Sequence, residues 1–546
     1  MAVIEYRIFG APGTGKTTAL TNQIQAAARK HGRSGVFVAS FTRAAAVEVA
    51  GRNDDIPNIG TLHSHGYRAI GERCEVAENH IADWNKENPR YALSNAKAVD
   101  LDDVREQAAP LTEGDATFNE MCLNRARLVP RERWKLSVQA LAKRWDEWKA
   151  ATGVIDFMDM IEIPLREHIP LECAPTVGFF DEAQDFTPME LALVRQWGAD
   201  MEYIVLAGDD DQTIYEWAGA SPEVLIGGEC AKKVILSQSY RVPRMVHELS
   251  QRVIQTVKSR EPKEYKPRDA DGEVRQLRNV NYNTAAALIT DAEQYLQADK
   301  TVMILASCSY MIEPVIKELR AAGIPFWNPY RVKAGNWNPL RRAGRGQTSS
   351  IEQMLHFVEQ IPMTTGYKWG EPMLDIDRFV AWYDIIAATG NIPRGAKKVV
   401  LERLQQMKTE YNEKEFGASL LHAFFAEGCG IFDHCGTQNY AAALDWFIEN
   451  VSSAKARVLE YPRAVAVRRG VDALEKKPQI IVGTIHSVKG GEADVVYVMP
   501  DLSRNAYAQK TNSRQGADAV TRLRYVAYTR ARESLCLLDA AGSYVM

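Results

Sequence analysis

Eight residues near the start of the chain, Gly10-Ala11-Pro12-Gly13-Thr14-Gly15-Lys16-Thr17, carry the spacing G-x-x-x-x-G-K-[ST]. Glycines at these places let a loop wrap closely around phosphate, with backbone N–H groups pointing inward at a helix N-terminus. Lys16 is suited to the β- and γ-phosphates of a nucleotide, and the Thr17 hydroxyl to Mg²⁺. Both flanks fit, since Tyr6 to Phe9 reads as a strand and Thr18 to Lys30 as a helix. The expected nucleotide contacts therefore run from Gly10, Ala11, Pro12, Gly13, Thr14 and Gly15 through Lys16, Thr17 and Thr18. A glycine-rich turn without a ligand is the bland alternative, and two correct flanks argue against it.

A second constellation narrows the chemistry. The apolar run Val177-Gly178-Phe179-Phe180 delivers Asp181 and Glu182 to a strand end, where α/β sheets gather their ligands. Asp181 is a natural second Mg²⁺ ligand beside Thr17. Glu182, one residue on, is placed to polarise an attacking water. Further along, Gly208-Asp209-Asp210-Asp211-Gln212 leads into Tyr215 and Trp217.

Taken together these stretches resemble the superfamily 1 DNA helicases of the UvrD/Rep type. Asp181-Glu182-Ala183-Gln184-Asp185 and the run from Gly208 to Ala220 are similar to two of that family's motifs. Other stretches follow in the same order: Ser40 to Ala46, Gly60 to His65, Gly153 to Phe157, Gln238 to Arg241, Gly483 to Glu492, and Arg524 to Ala531. The resemblance implies that Gln212 senses the γ-phosphate and that Tyr240 stacks on adenine. It also implies that Arg241 and Arg530 reach the γ-phosphate and that Glu492 contacts the nucleotide. Arginine suits this work, because phosphoryl transfer needs charge neutralised across several oxygens. Lys16, Asp181, Glu182, Gln212, Arg241 and Arg530 form the expected catalytic set, with ATP and Mg²⁺ as cofactors.

The same resemblance puts Phe41, His63, Tyr215 and Trp217 on a groove for single-stranded nucleic acid. Aromatic faces stack on unpaired bases without reading sequence. Arg43, Thr61, Thr484 and His486 join them as phosphate or hydrogen-bond contacts. The i, i+2 spacing of Tyr215 and Trp217 after a polar loop favours display at a turn over core packing. The implied partners are single-stranded DNA and ss/ds junctions, with 3′-to-5′ movement, function as a monomer and room for accessory proteins. The family's glutamine segment ahead of the loop is missing from the nine residues before Gly10, so only a modest preference for ATP over GTP is expected.

The elements that must position these residues are visible as apolar, β-branched runs: 36–40, 177–181, 203–207, 234–236, 302–306, 480–484, 495–498 and 535–538. Apolar strands separated by helical stretches indicate parallel sheets covered on both faces, an α/β class. Two mainly helical stretches interrupt them. With the resemblance, this organises the chain as two RecA-like P-loop motor domains, each carrying a helical insert. The first takes 1–66 and 152–238 with insert 67–151; the second takes 239–335 and 468–546 with insert 336–467.

The bulk composition is neutral on function. The 546 residues hold 66 Lys+Arg against 70 Asp+Glu, a net charge of −4, so phosphate contacts require a locally basic groove. The eight scattered cysteines and the lack of an export signal or long apolar run lead to an expectation of a cytoplasmic protein with reduced thiols and no membrane association. Cys429 and Cys435, near His422 and His434, match no common zinc spacing. A helicase–nuclease subunit is disfavoured because only 16 residues follow Arg530. A non-motor P-loop protein would lack the arginine pair and the Asp-Asp-Asp-Gln loop. A translocase that displaces proteins and unwinds little shares every motif with the helicase reading.

Overall fold

The computed structural model describes residues 3–41, 43–53, 55–71, 74–94, 112–331, 335–342, 348–363, 367–368 and 371–546. The chain divides into two compact units. One comprises Met1–Thr284, Lys300–Ile312 and Gly483–Met546; the other comprises Ala285–Asp299 and Glu313–Val482.

The first unit is built on a parallel six-stranded sheet. Its order is Ile59–Thr61, Val36–Ser40, Val177–Asp181, Tyr203–Gly208, Glu5–Gly10, Lys232–Leu236. Side chains alternate between the two faces, as the period of a strand requires. Phe9, Phe37, Phe180, Ile204 and Leu206 enter one core with Phe186 and Trp197. Ile8, Val36, Val38, Phe179, Val205 and Ala207 enter the other with Leu20 and Ile24. The four central strands are thus buried on both faces and read as continuous apolar runs, while the edge strand Lys232–Leu236 is mostly exposed and Ile59–Thr61 half-buried. Pairing Ser40 with Asp181, and Phe9 with Gly208, brings their carboxyl ends to one edge.

Four more parallel strands belong to this unit, in the order Val302–Ala306, Ala493–Val498, Ala531–Leu538, Glu273–Leu277. Glu273–Leu277, whose side chains are mostly polar, gives no apolar run and was not expected. The unit also carries helices Ile81–Glu87, Glu113–Ala126 and Leu136–Thr152 around a separate core. Trp84 and Trp145, both fully enclosed, meet edge-on at 4.9 Å. The Trp145 indole donates to Asp156 at 2.8 Å, so its polar end is satisfied inside that core.

The second unit is mainly helical. Helices Ser350–Gln360, Ile376–Tyr383, Tyr440–Glu449 and Ser453–Arg469 surround Phe357, Phe379, Trp382 and Phe447. It also contains antiparallel strands Glu371–Asp375 and Glu415–Gly417. Within it Phe326 and Trp327 pair in parallel with Ile480 and Ile481. The fold class is α/β with parallel sheets and helical additions, as the sequence indicated. Among the described residues no helix is long and apolar enough to cross a membrane.

Candidate nucleotide and nucleic-acid site

The loop after Glu5–Gly10 turns through Gly13 (φ 73°) and Gly15 (φ 79°) into helix Lys16–His31. At Gly13 only glycine fits on two counts. The angle is left-handed, and a Cβ would lie 2.4 Å from the Arg241 Cβ. The helix has no side-chain cap, so its first N–H groups are left to whatever the loop encloses. The carbonyls of the loop are turned the other way and are fastened. Pro12 O accepts from the Ser239 hydroxyl and the Tyr265 phenol, both at 2.9 Å, and Gly13 O accepts from Tyr240 N at 2.8 Å. Lys16 folds back, its ammonium donating to Gly10 O at 2.7 Å. Thr17 is half-buried, and exposed Thr18 instead meets Arg52 at 3.3 Å.

Asp181 is buried at the end of its strand and its Oδ1 accepts from Glu182 N at 3.0 Å. Glu182 itself sits at φ 54°, a strained turn for a side chain of this size. Burial works against its charge, but Lys489 and Lys16 outweigh it and hold the carboxyl below the usual range. Gln184 donates to Glu182 and, through its oxygen, accepts from Asp209 N at 3.0 Å. Asp185 forms a buried ion pair with Lys489. Burial pushes Asp185 up to about 7 despite Lys489, and Glu182 adds to the rise.

Gln212 bridges two parts of the site. Its amide nitrogen donates to Asp209 at 2.7 Å, and its oxygen accepts from the Arg530 guanidinium at 2.8 Å. Arg530 is 1% exposed and also donates to Val526 O and Gly491 O. Arg241 pairs with Glu492 at 2.5 Å, and Glu492 takes Arg532 on its other oxygen at 3.2 Å. The Tyr240 ring stands 73% exposed beside the loop, available to stack on a flat ligand.

The aromatic residues gather on the same edge, with one correction. Tyr215 is 2% exposed, so its ring is packed in this arrangement and not displayed as the i, i+2 spacing suggested. It is covered by Phe41 at 5.1 Å and His486 at 5.8 Å, and its hydroxyl donates to His486 O at 3.3 Å. Phe41 and Trp217 are half-buried. Lys489 lies 5.4 Å over the Tyr215 ring and donates to Gln212 O at 2.7 Å, so one cation touches both the acidic edge and the aromatic group. His63 stacks on Phe157 at 4.2 Å, and burial lowers it to about 4. Two expected contacts are already used by the fold. Thr61 caps helix Leu62–Ala69 by accepting from Ser64 N, and fully buried Thr484 accepts from Ser487 N. Helix Arg43–Arg52 begins at Arg43, whose side chain lies outside the described residues.

Sequence reasoning passed over Gln184, Asp185, Ser239, Tyr265 and Lys489. Gln184, Asp185 and Ser239 sit in quoted stretches but have no signal of their own, and Tyr265 lies outside them. Lys489 was within the Gly483 to Glu492 stretch and was not singled out.

The family model for the UvrD/REP helicase N-terminal domain matches residues 5–229, and that for the UvrD-like helicase C-terminal domain matches 449–541. Together they take in more than half of the chain. The chain belongs to the UvrD/Rep helicase family. Individual relatives are distant. A probable DNA helicase II homolog of Mycoplasma capricolum is 21% identical over 413 residues, covering 67% of this chain and 55% of that protein. The ATP-dependent DNA helicase UvrD2 of Mycobacterium tuberculosis is 26% identical over 293 residues, 46% of this chain and 41% of that protein. The ATP-dependent DNA helicase Rep of Escherichia coli is 27% identical over 269 residues, 43% of this chain and 38% of that protein. The chain thus spans about half or less of the curated relatives it matches.

Glu190, 3.7 Å from His63, provides a pH test. Burial pushes its carboxyl up to about 7, above the unfolded value near 4.5. A raised carboxyl contributes stability below its unfolded pKa and loses it as pH rises through the folded value. Glutamine keeps the capping box with Thr187 and removes the titration. Between pH 5.5 and 8, the urea midpoint of Glu190→Gln is expected to fall less than that of the wild type; an equal fall refutes the assignment.

Proposed function

We propose that this chain is an ATP-driven motor on single-stranded DNA, a helicase moving 3′-to-5′ and separating strands at ss/ds junctions. The observation that carries the reading is one sheet edge holding the Gly10–Thr17 loop, Asp181, Glu182 and the Gln212–Arg530 bond, joined through Lys489 to Tyr215. The relatives named above, all DNA helicases, support it. We assign the motor domains to 1–66 with 152–238 and to 239–335 with 468–546, and the inserts to 67–151 and 336–467.

The residues fit a magnesium–nucleotide complex. The helix start is uncapped, Gly10 and Gly13 leave no room for a side chain, Gly15 holds a left-handed turn, and the Ser40 hydroxyl, paired in register with Asp181, is buried without a hydrogen-bond partner. Mg–ATP, when bound, would supply the phosphoanhydride whose hydrolysis drives movement. Lys16 and the loop amides would hold its phosphates, Thr17 and Asp181 the Mg²⁺, and Tyr240 the adenine. Glu182, kept ionised by Lys489 and Lys16, takes a proton from the attacking water on its carboxylate. Arg241 and Arg530 would neutralise charge as it develops, Arg241 by exchanging Glu492 for phosphate and Arg530 from its position against Gln212. That exchange gives the site two arrangements to alternate between. Phe41, His63, Tyr215 and Trp217 would grip bases, with Arg43, Thr61, Thr484 and His486 beside the backbone.

The deciding experiment measures ATP turnover and strand separation on duplexes with a 3′ or a 5′ tail, in DNA and in RNA. Unwinding of the 3′-tailed DNA is expected, and no turnover on any strand would sink the motor. Displacement of streptavidin without unwinding would instead identify a translocase. Glu182→Gln should lower kcat by about 10²–10⁴-fold while ATP binding persists, as loss of a general base does. Trp217→Ala should lose DNA-stimulated turnover more than basal turnover; equal loss of both would indicate misfolding.

A further inference from the structure

Lys263 lies outside the motif stretches quoted above and outside both family-model matches, yet its side chain is 2% exposed. Its ammonium is 2.9 Å from Asp209 Oδ1, 2.5 Å from Asp210 Oδ1 and 2.9 Å from Asp211 Oδ2. The three acids do not depend on it equally. Arg260 holds Asp211 through Nε at 2.8 Å and Nη2 at 2.5 Å, and Asp210 accepts from Glu261 N at 2.8 Å. Asp209 owes its ionised form to Lys263 first and to Lys16 from further away, the two together outweighing burial.

Asp209 is also the acid with a onward connection. Its Oδ2 accepts from the Gln212 amide nitrogen, and the Gln212 oxygen accepts from Arg530. A carboxamide has one donating and one accepting end. Between a carboxylate and a guanidinium it has only one orientation that avoids setting two donors, or two acceptors, face to face. The charge and position of Asp209 therefore decide whether Arg530 meets an acceptor at Gln212.

We propose that Lys263 is a positioning residue: by fixing Asp209 it sets the Gln212 carboxamide and so holds Arg530 ready for the nucleotide. The proposal rests on the motor reading above. Lys263 acts through Gln212 and has no contact with substrate in this scheme. The competing role is a neutraliser of buried acids, which would matter for folding and equally for every function.

The test compares wild type, Lys263→Met, Gln212→Ala and the double variant, all as the full chain. Three quantities are read: ATP turnover with and without a thymidine oligonucleotide, affinity for mant-ATP, and the thermal midpoint. Lys263→Met is expected to lose at least about tenfold of the DNA-stimulated turnover and to keep mant-ATP affinity within about threefold. Added to Gln212→Ala it should cost nothing more, because residues acting in one chain of contacts are not additive. Should Lys263→Met fail to fold, Lys263→Met with Asp210→Asn removes one charge of each sign and is expected to give the same pattern. Additive losses, lost mant-ATP binding, or failure of both variants to fold would make Lys263 a neutraliser and overturn the proposal. A wild-type chain without DNA-stimulated turnover would overturn this proposal together with the reading beneath it, and no other outcome touches both.

Discussion

A carboxylate taken out of water must be met by a cation or by donors, since an uncompensated one costs several kcal/mol. The edge of the first sheet is governed by this requirement. Asp181, Asp185, Asp209, Asp210 and Asp211 are each 2% exposed or less. Their compensation comes from far along the chain: Lys489 for Asp185, Lys263 and Arg260 for the three consecutive acids. Each cation brings a segment with it. The Arg260–Lys263 segment is tied to the Asp209–Gln212 turn, and the Lys489 turn is tied to the end of Val177–Asp181. Apolar packing builds the two faces of the sheet, but paired charge determines what is brought to its edge.

That division explains what the sequence disclosed. The strand runs, the Gly10–Thr17 loop and the Asp181-Glu182 pair depend on local periodicity or fixed spacing, and all were legible. Glu5–Gly10, Val36–Ser40, Val177–Asp181 and Tyr203–Gly208 are buried almost throughout, and burial on both faces forces a continuous apolar signature, whereas half-buried Ile59–Thr61 has none and was not among the runs. Glu273–Leu277 and the short pair Glu371–Asp375 and Glu415–Gly417 have no such signature and stayed hidden. Lys263 and Tyr265 were invisible for a different reason. A lysine in a charged stretch looks like a solvated surface residue, and only the distant aspartates show otherwise. Tyr215 was misjudged similarly: its neighbours Phe41 and His486 are 174 and 271 residues away by number, and no local pattern announces them.

The buried Tyr215 bears on how the two halves of the site communicate. Its ring is shared by Phe41, His486 and the Lys489 ammonium, so under the proposed function a base would stack on it only after one of these withdraws. A cation over an aromatic face contributes about 0.5–2 kcal/mol, small enough to be exchanged for another contact. Lys489 has such alternatives nearby, because it already serves Asp185 and Gln212 O. Asp185 is pushed up to about 7 by burial and Glu182 and opposed by Lys489. Any change of charge at the loop alters how strongly Asp185 and Glu182 hold that lysine. The hold of Lys489 on Tyr215 changes with it, so in the proposed motor the grip on a base and the charge at the loop would be linked through one side chain.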